Sequence, residues 1–184
     1  WNGTAWATVP SGTSSALNAV SGGSSSDVWA VGNAGTIIRW NGSAWAATPS
    51  GTTRDLYGVS GSYAVGFGTI LTWSGSAWSE ALATGAVYFD VNSSYAVGTG
   101  GSVLRTGTWT SAGSTGTFNG LNGLSASSST TWIVGNSGTI LQGTGGPWTQ
   151  IAGVTTNDLF GVWASSPSSV WVVGRHGTVL RRRP

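Results

Sequence analysis

One phrase recurs five times along this chain, and it restricts the fold more than any other feature. It reads Val28-Trp29-Ala30-Val31-Gly32, then Gly35-Thr36-Ile37-Ile38-Arg39-Trp40, then Asn41-Gly42-Ser43-Ala44-Trp45. Its later copies centre on Tyr63-Ala64-Val65-Gly66, Tyr95-Ala96-Val97-Gly98, Trp132-Ile133-Val134-Gly135 and Trp171-Val172-Val173-Gly174. Runs of alternating character broken at glycine and at Asn-Gly predict short antiparallel strands joined by tight turns. A further strand precedes each copy: Leu17-Asn18-Ala19-Val20, Leu56-Tyr57-Gly58-Val59, Tyr88-Phe89-Asp90-Val91, Leu121-Asn122-Gly123-Leu124 and Leu159-Phe160-Gly161-Val162. Each unit therefore has four strands, and a fixed-period repeat of such units is the mark of a radial or stacked array.

The two ends complete the count. Residues 1–6, Trp-Asn-Gly-Thr-Ala-Trp, repeat residues 40–45, Trp-Asn-Gly-Ser-Ala-Trp, while the fifth unit stops at Arg181-Arg182-Arg183-Pro184 where its fourth strand is due. The expected fold is an all-β, five-bladed β-propeller of four-stranded antiparallel blades, closed by the N-terminal strand completing the last blade. The blades are expected at about 16–54, 55–86, 87–119, 120–157, and 158–184 plus 1–15. Such a ring hides most sheet edges. A chain that opens inside a repeat reads as a processed product or a fragment.

Composition narrows the function. Charged residues make up 7% of the chain, against about 25% in ordinary soluble domains, so hydroxyls and amides must wet the surface. The seven basic residues are all arginine, and three of them, Arg181, Arg182 and Arg183, sit together at the end. The remaining four face five acids, so no global field attracts nucleic acid. Arg181 aligns with Arg39 and Arg105 as a strand residue, and Arg182 and Arg183 are expected to fray. The absence of cysteine excludes disulfides and thiolate metal sites. His176 is the single histidine, so no metal cluster and no cofactor is expected. No apolar run is long enough to span a bilayer.

The turns Asn41-Gly42-Ser43-Ala44-Trp45 and Ser74-Gly75-Ser76-Ala77-Trp78 resemble those of bacterial secreted β-propeller repeats of the Asp-box and photosystem-assembly-factor-like kind. Five blades with Trp-rich, charge-poor strands also resemble the tachylectin-2-like lectins. The resemblance implies a propeller and, through the second group, binding of amino sugars.

Candidate site residues fall into three groups. Trp29, Tyr63, Tyr95, Trp132 and Trp171, with Trp6, Trp45, Trp78, Trp109 and Trp148, recur in every unit and are expected to pack between sheets. Trp40 and Trp73 hold a position that is Thr106 or Gly143 elsewhere, which makes them candidates for stacking on a sugar or partner. The tips after the second strand vary while the flanking glycines do not; they offer Asn33, Phe67, Asn136, Arg175 and His176 as ligand-binding residues. Among the acids, Asp55 and Asp158 share a position and read as loop hydrogen-bonders. Asp90 is irregular, and reads either as a hydrated carboxylate or as a ligand or cation contact. The paired carboxylates of a glycosidase are not in view. The expected function is a non-enzymatic, extracellular or cell-surface binding module, monomeric, with carbohydrate as ligand. The alternative is a protein-interaction or structural module of a larger bacterial surface protein, and a glycosidase-type enzyme comes third. Partners are thus a glycan or a surface protein, with no nucleic acid and no membrane insertion.

Overall fold

The computed structural model describes residues 3–182. The chain is all-β and takes the propeller style of antiparallel sheets laid one on the next. Its first sheet is β1 (Leu17–Ser24), β2 (Asp27–Gly32), β3 (Ile37–Trp40) and β4 (Trp45–Ala47), paired in sequence order. The second sheet has five strands: β5 (Leu56–Ser60), β6 (Tyr63–Trp73), β7 (Trp78–Val91), β8 (Tyr95–Gly98) and β9 (Val103–Arg105). Next comes a four-stranded sheet of β10 (Leu121–Ser127), β11 (Thr130–Gly135), β12 (Ile140–Gly143) and β13 (Thr149–Gln150). The last has three strands, β14 (Leu159–Ser166), β15 (Ser169–Gly174) and β16 (Val179–Arg181).

Two expectations need correction. The described residues form four sheets, not five separate blades. The second and third repeats are joined because β7 runs unbroken through Thr84-Gly85-Ala86, pairing with β6 from Trp78 to Val87 and with β8 from Tyr88 to Val91. That linker is short, and its Gly85 does not take the left-handed backbone that Gly51, Gly116 and Gly153 take in the other linkers, so the extended run continues. The N-terminal closure is also not made among the described residues. Trp1 and Asn2 lie outside the described residues, Gly3 to Trp6 take no part in a strand, and the last sheet keeps three strands. Trp6 is 84% exposed, so it is not the buried aromatic that its repeat position suggests.

The sheets pack face to face, so apolar side chains of each meet those of its neighbour. At the first junction Trp29, Val31 and Ile37 pack against Leu56, Val59, Ala64, Leu71 and Trp78. The last junction repeats the scheme with Trp132, Val134 and Ile140 against Leu159, Val170 and Val172. An aromatic of one repeat meets the fourth-strand tryptophan of the next, edge to face, in Trp29–Trp78 at 5.2 Å, Tyr63–Trp109 at 5.1 Å and Tyr95–Trp148 at 5.3 Å. Such pairs contribute about 0.5–1.5 kcal/mol beyond their buried area.

The stack does not return on itself. No strand of the last sheet makes more than glancing contact with a strand of the first. Burial registers the opening: Val173 is 50% exposed, while its equivalents Val31, Val65, Val97 and Val134 are 0% exposed. At the other end Val20 is 67% exposed and its equivalent Val59 only 5%.

Glycine sets how closely the layers fit. A Cβ on Gly32, Gly66, Gly98, Gly135 or Gly174 would lie 2.0–2.4 Å from the carbonyl oxygen just before the first strand of the same repeat. No side chain fits there, and the obstructing atom is backbone. Gly66→Ala should therefore cost about 3 kcal/mol or more, at the top of the overpacking range. Gly61→Ala, at φ +55 in a turn with open space around it, should cost about 1 kcal/mol for the left-handed conformation alone. Urea unfolding of the two variants checks this order, and equal losses would contradict it.

Candidate functional site

The second residue of every first strand interrupts the ladder. Register shifts fall between Leu17 and Ala19, Leu56 and Gly58, Tyr88 and Asp90, Leu121 and Gly123, and Leu159 and Gly161. Asn18, Tyr57, Phe89, Asn122 and Phe160 are the residues set aside. A bulge re-aims its side chain away from the pleat. Each bulge sits beside a tip, because Leu17, Leu56, Tyr88, Leu121 and Leu159 pair with the glycine that ends the second strand. Bulges and tips therefore share one end of the stack. Contacts between successive first strands place the bulges along its inner edge.

The ring of bulge and tip residues has two kinds of member. The asparagines are engaged with the protein. Asn18 Nδ2 donates to Asn33 Oδ1 and to the Leu56 carbonyl, each at 2.8 Å. Asn122 Nδ2 donates to Asn136 Oδ1 at 2.7 Å and to the Leu159 carbonyl at 2.9 Å. Both stitch a sheet to its successor. The aromatic members are turned outward: Phe67 and Phe160 are exposed, and Tyr57 and Phe89 are half-buried with ring centroids 6.0 Å apart.

The tip residues named from the sequence thus share one end but differ in availability. Asn33 and Asn136 are exposed, but each Oδ1 accepts from a bulge asparagine and the backbone N–H and carbonyl of each are bonded within the protein. Arg175 is exposed and pairs with Asp158 at 3.4 Å, a surface contact worth little in stability. His176 is exposed and holds φ +55 at the corner of its tip. Trp40 and Trp73 lie elsewhere, at the outer part of the sheets. Trp73 is wedged among aromatics, 4.9 Å from Trp29 and 5.5 Å from Trp78. Trp40 packs on Trp45 at 5.7 Å and donates its Nε1–H to the Ser25 carbonyl. Tyr57, Phe89 and Phe160 escaped the sequence reading because the bulge that projects them is a register feature; their partial exposure could not be read from an alternating strand.

The acids are spoken for. Asp55 and Asp158 accept the backbone N–H of Ala34 at 2.8 Å and of Ser137 at 2.9 Å, across the junction to the preceding tip. Asp27 pairs with Arg39 at 2.8 Å, and Glu80 pairs with Arg54 at 2.9 Å and accepts from the Thr69 hydroxyl. Asp90 Oδ2 accepts the Leu124 N–H of the following sheet at 2.9 Å and Oδ1 accepts the Val91 N–H at 2.8 Å. It is a cross-link between sheets. Among the described residues no group of three His, Cys, Asp or Glu could hold a metal ion.

The basic end also behaves differently from expectation. Arg181 pairs with Trp171, as Arg39 does with Trp29 and Arg105 with Tyr95, which is the ordinary strand role. Arg182 is not frayed: its N–H donates to the Val170 carbonyl at 3.0 Å and its guanidinium lies 5.0 Å over Trp132. Arg183 lies outside the described residues.

Several solved structures share this architecture. YCF48 bound to D1 peptide superposes over 96% of this chain with a TM-score of 0.72 at 16% identity. YCF48 from Cyanidioschyzon merolae superposes over 98% with a TM-score of 0.73, also at 16% identity. The computationally designed Ika8 protein superposes over 90% with a TM-score of 0.64 at 15% identity. The chain spans 65% and 71% of the two YCF48 chains and 57% of Ika8. These likenesses establish a β-propeller fold. No family model matches the chain, and no curated protein matches it.

Asp90 gives a pH test of the inner edge. Burial raises its carboxyl above the ordinary aspartate value, while the Leu124 and Val91 N–H groups pull the other way. A raised folded-state value means the unfolded chain binds fewer protons in that window, so stability falls as pH rises. This group's contribution is complete below the ordinary aspartate value and is lost as pH climbs through the raised one. Asp90→Asn should remove that decline. Urea unfolding of both proteins across the acid range should show wild type losing ground to the variant as pH rises; the opposite slope would contradict the assignment.

Proposed function

We propose that this chain is a non-catalytic protein-interaction module that takes up an extended peptide segment on the bulge-and-tip end of its sheets. We read its five sequence repeats as five propeller blades, two of them joined through β7. The observation that carries the proposal is the aromatic half of the ring. Tyr57 and Phe67 of the second repeat, Phe89 of the third and Phe160 of the fifth are wholly or partly exposed at one end of the sheets, the end that also carries asparagines held in place by their own hydrogen bonds. Rigid aromatics beside fixed amides suit a peptide, whose backbone takes hydrogen bonds while its apolar side chains cover the rings. YCF48, a neighbour of the same fold, has been solved bound to D1 peptide, which supports the same kind of partner here by analogy.

A glycan is the less favoured ligand. The tryptophans suited to sugar stacking, Trp40 and Trp73, are already in contact with Trp45 and with Trp29 and Trp78.

Random peptides displayed on phage and selected on the immobilised protein test the proposal. Selected sequences should be rich in aliphatic and aromatic residues. Phe67→Ala with Phe160→Ala should weaken their binding by about tenfold or more, as loss of interface anchors does. The melting temperature should hardly move, since both rings are exposed. Failure to select any peptide, together with binding on a glycan array, would favour the carbohydrate reading.

A further inference from the structure

We propose that the junction between the third and fourth repeats is a carboxylate cradle, which takes an aspartate or glutamate side chain of the peptide partner. The inference rests on the peptide reading above and adds to it the chemistry of one partner residue. The fifth repeat shows the cradle filled. There Asp158 stands just before the first strand. Its Oδ1 accepts the Ser137 N–H of the preceding tip at 2.9 Å, and its Oδ2 lies 3.4 Å from Nη1 of Arg175 in its own tip. The second repeat fills the same place with Asp55, which accepts the Ala34 N–H at 2.8 Å. The fourth repeat has Gly120 at this position. The carboxylate is gone, but the donors around it remain.

Two donors flank the vacant position. Gly100 holds the tip position of Ala34 and Ser137 and has their backbone, with φ +66 against +53 and +54. It is exposed, and among the described residues no side chain accepts its N–H. Asn136 holds the tip position of Arg175. Its N–H donates to the Gly120 carbonyl at 2.9 Å, as the Arg175 N–H does to that of Asp158 at 2.8 Å, so the two tips sit over their repeats in the same way. Asn136 Oδ1 accepts from Asn122 at 2.7 Å, which fixes the amide. Its Nδ2 would lie 3.1 Å from a Cβ built on Gly120 and has no acceptor among the described residues. A backbone N–H and a held amide N–H beside one point suit a carboxylate, whose two oxygens can each accept. Phe118 adds an apolar neighbour. It precedes Gly120 by two residues, so their Cα atoms are within about 7 Å of each other. Its ring is 94% exposed, at a linker position that is Ser14, Thr53, Gly85 or Thr156 in the other repeats. The partner residue beside the acid is therefore aliphatic or aromatic and covers this ring.

Gly120→Asp tests the cradle without a partner. Gly120 has no left-handed backbone, so a side chain is allowed there, and the atom nearest its Cβ is the end of the Asn136 side chain. The new carboxylate should take the vacant donors. The variant should melt above Gly120→Ala at neutral pH, and the difference should shrink as acid protonates the carboxylate. Equal melting temperatures at neutral pH would overturn the cradle. Peptides selected on phage with the wild type should carry aspartate or glutamate beside an aliphatic or aromatic residue. Those selected with Gly120→Asp should keep the apolar residues and lose the acid. One selected peptide is then made with both ends blocked, so that its side chain is the sole carboxylate. Changing that residue to its amide should weaken binding to wild type by about tenfold or more, and should not weaken binding to Gly120→Asp. Equal binding of acid and amide forms would mean that both donors are merely solvated; it would overturn the cradle and leave the peptide reading standing. A peptide that binds only when its C-terminus is freed would overturn it in favour of a chain-end carboxylate. Failure to select any peptide would overturn both readings.

Discussion

Five glycines at the ends of the second strands set the spacing on which everything else depends. Gly32, Gly66, Gly98, Gly135 and Gly174 each lie against the carbonyl that precedes the first strand, closer than any Cβ allows. That approach draws each tip down onto the entry of its own repeat, where the N–H of Asn33, Phe67, Asn136 and Arg175 donates to the same carbonyl. The first strand must then bulge at its second residue to stay in register with the second. The bulge in turn presents Asn18, Tyr57, Phe89, Asn122 and Phe160 at the end where the tips lie. A steric requirement on backbone thus positions the surface best suited to a partner.

The junctions between sheets follow a second rule, the insertion of one repeat's tryptophan into an apolar slot built by the repeat before it. The rule is modular, so each junction owes its stability to its two flanking repeats and little to distant ones. The same modularity makes the ends special. An interior repeat satisfies both faces, whereas the first and last each present half of a junction, with Val20 on one and Val173 on the other. Exposed apolar surface of this kind marks interaction sites.

The first three strands of each repeat, their order and most of the recurring aromatics were legible, because alternation and glycine placement repeat five times. The third repeat makes only a Leu104–Ser111 bridge where a fourth strand was expected, and Trp6 and Trp171 are exposed. Asp55 and Asp158 were legible as hydrogen-bonders because a polar residue shared by two repeat positions serves the scaffold. Three things were not. The joining of repeats through β7 depends on a linker that neither turns nor breaks, and lack of proline does not mark it, since the linkers after β9 and β13 also lack proline and still break. The bulge aromatics depend on register, which period-two patterning does not encode. Closure was inferred from strand arithmetic, but a matching strand sequence does not bring the two ends of the stack together. Trp6 illustrates the gap: its sequence context is that of Trp45, yet it is 84% exposed.

The central claim is that the stack is open within one chain. It is tested most directly by the distance between the two end faces. The chain has no cysteine, so spin labels can be placed at Val20→Cys and Val173→Cys without background. Double electron–electron resonance is then measured with the labelled protein diluted in an excess of unlabelled chain, which suppresses distances between copies. An open stack should give a distance several times the ~10 Å spacing of packed sheets. A narrow distribution near that spacing would mean that the chain closes its own ring, and would contradict the account.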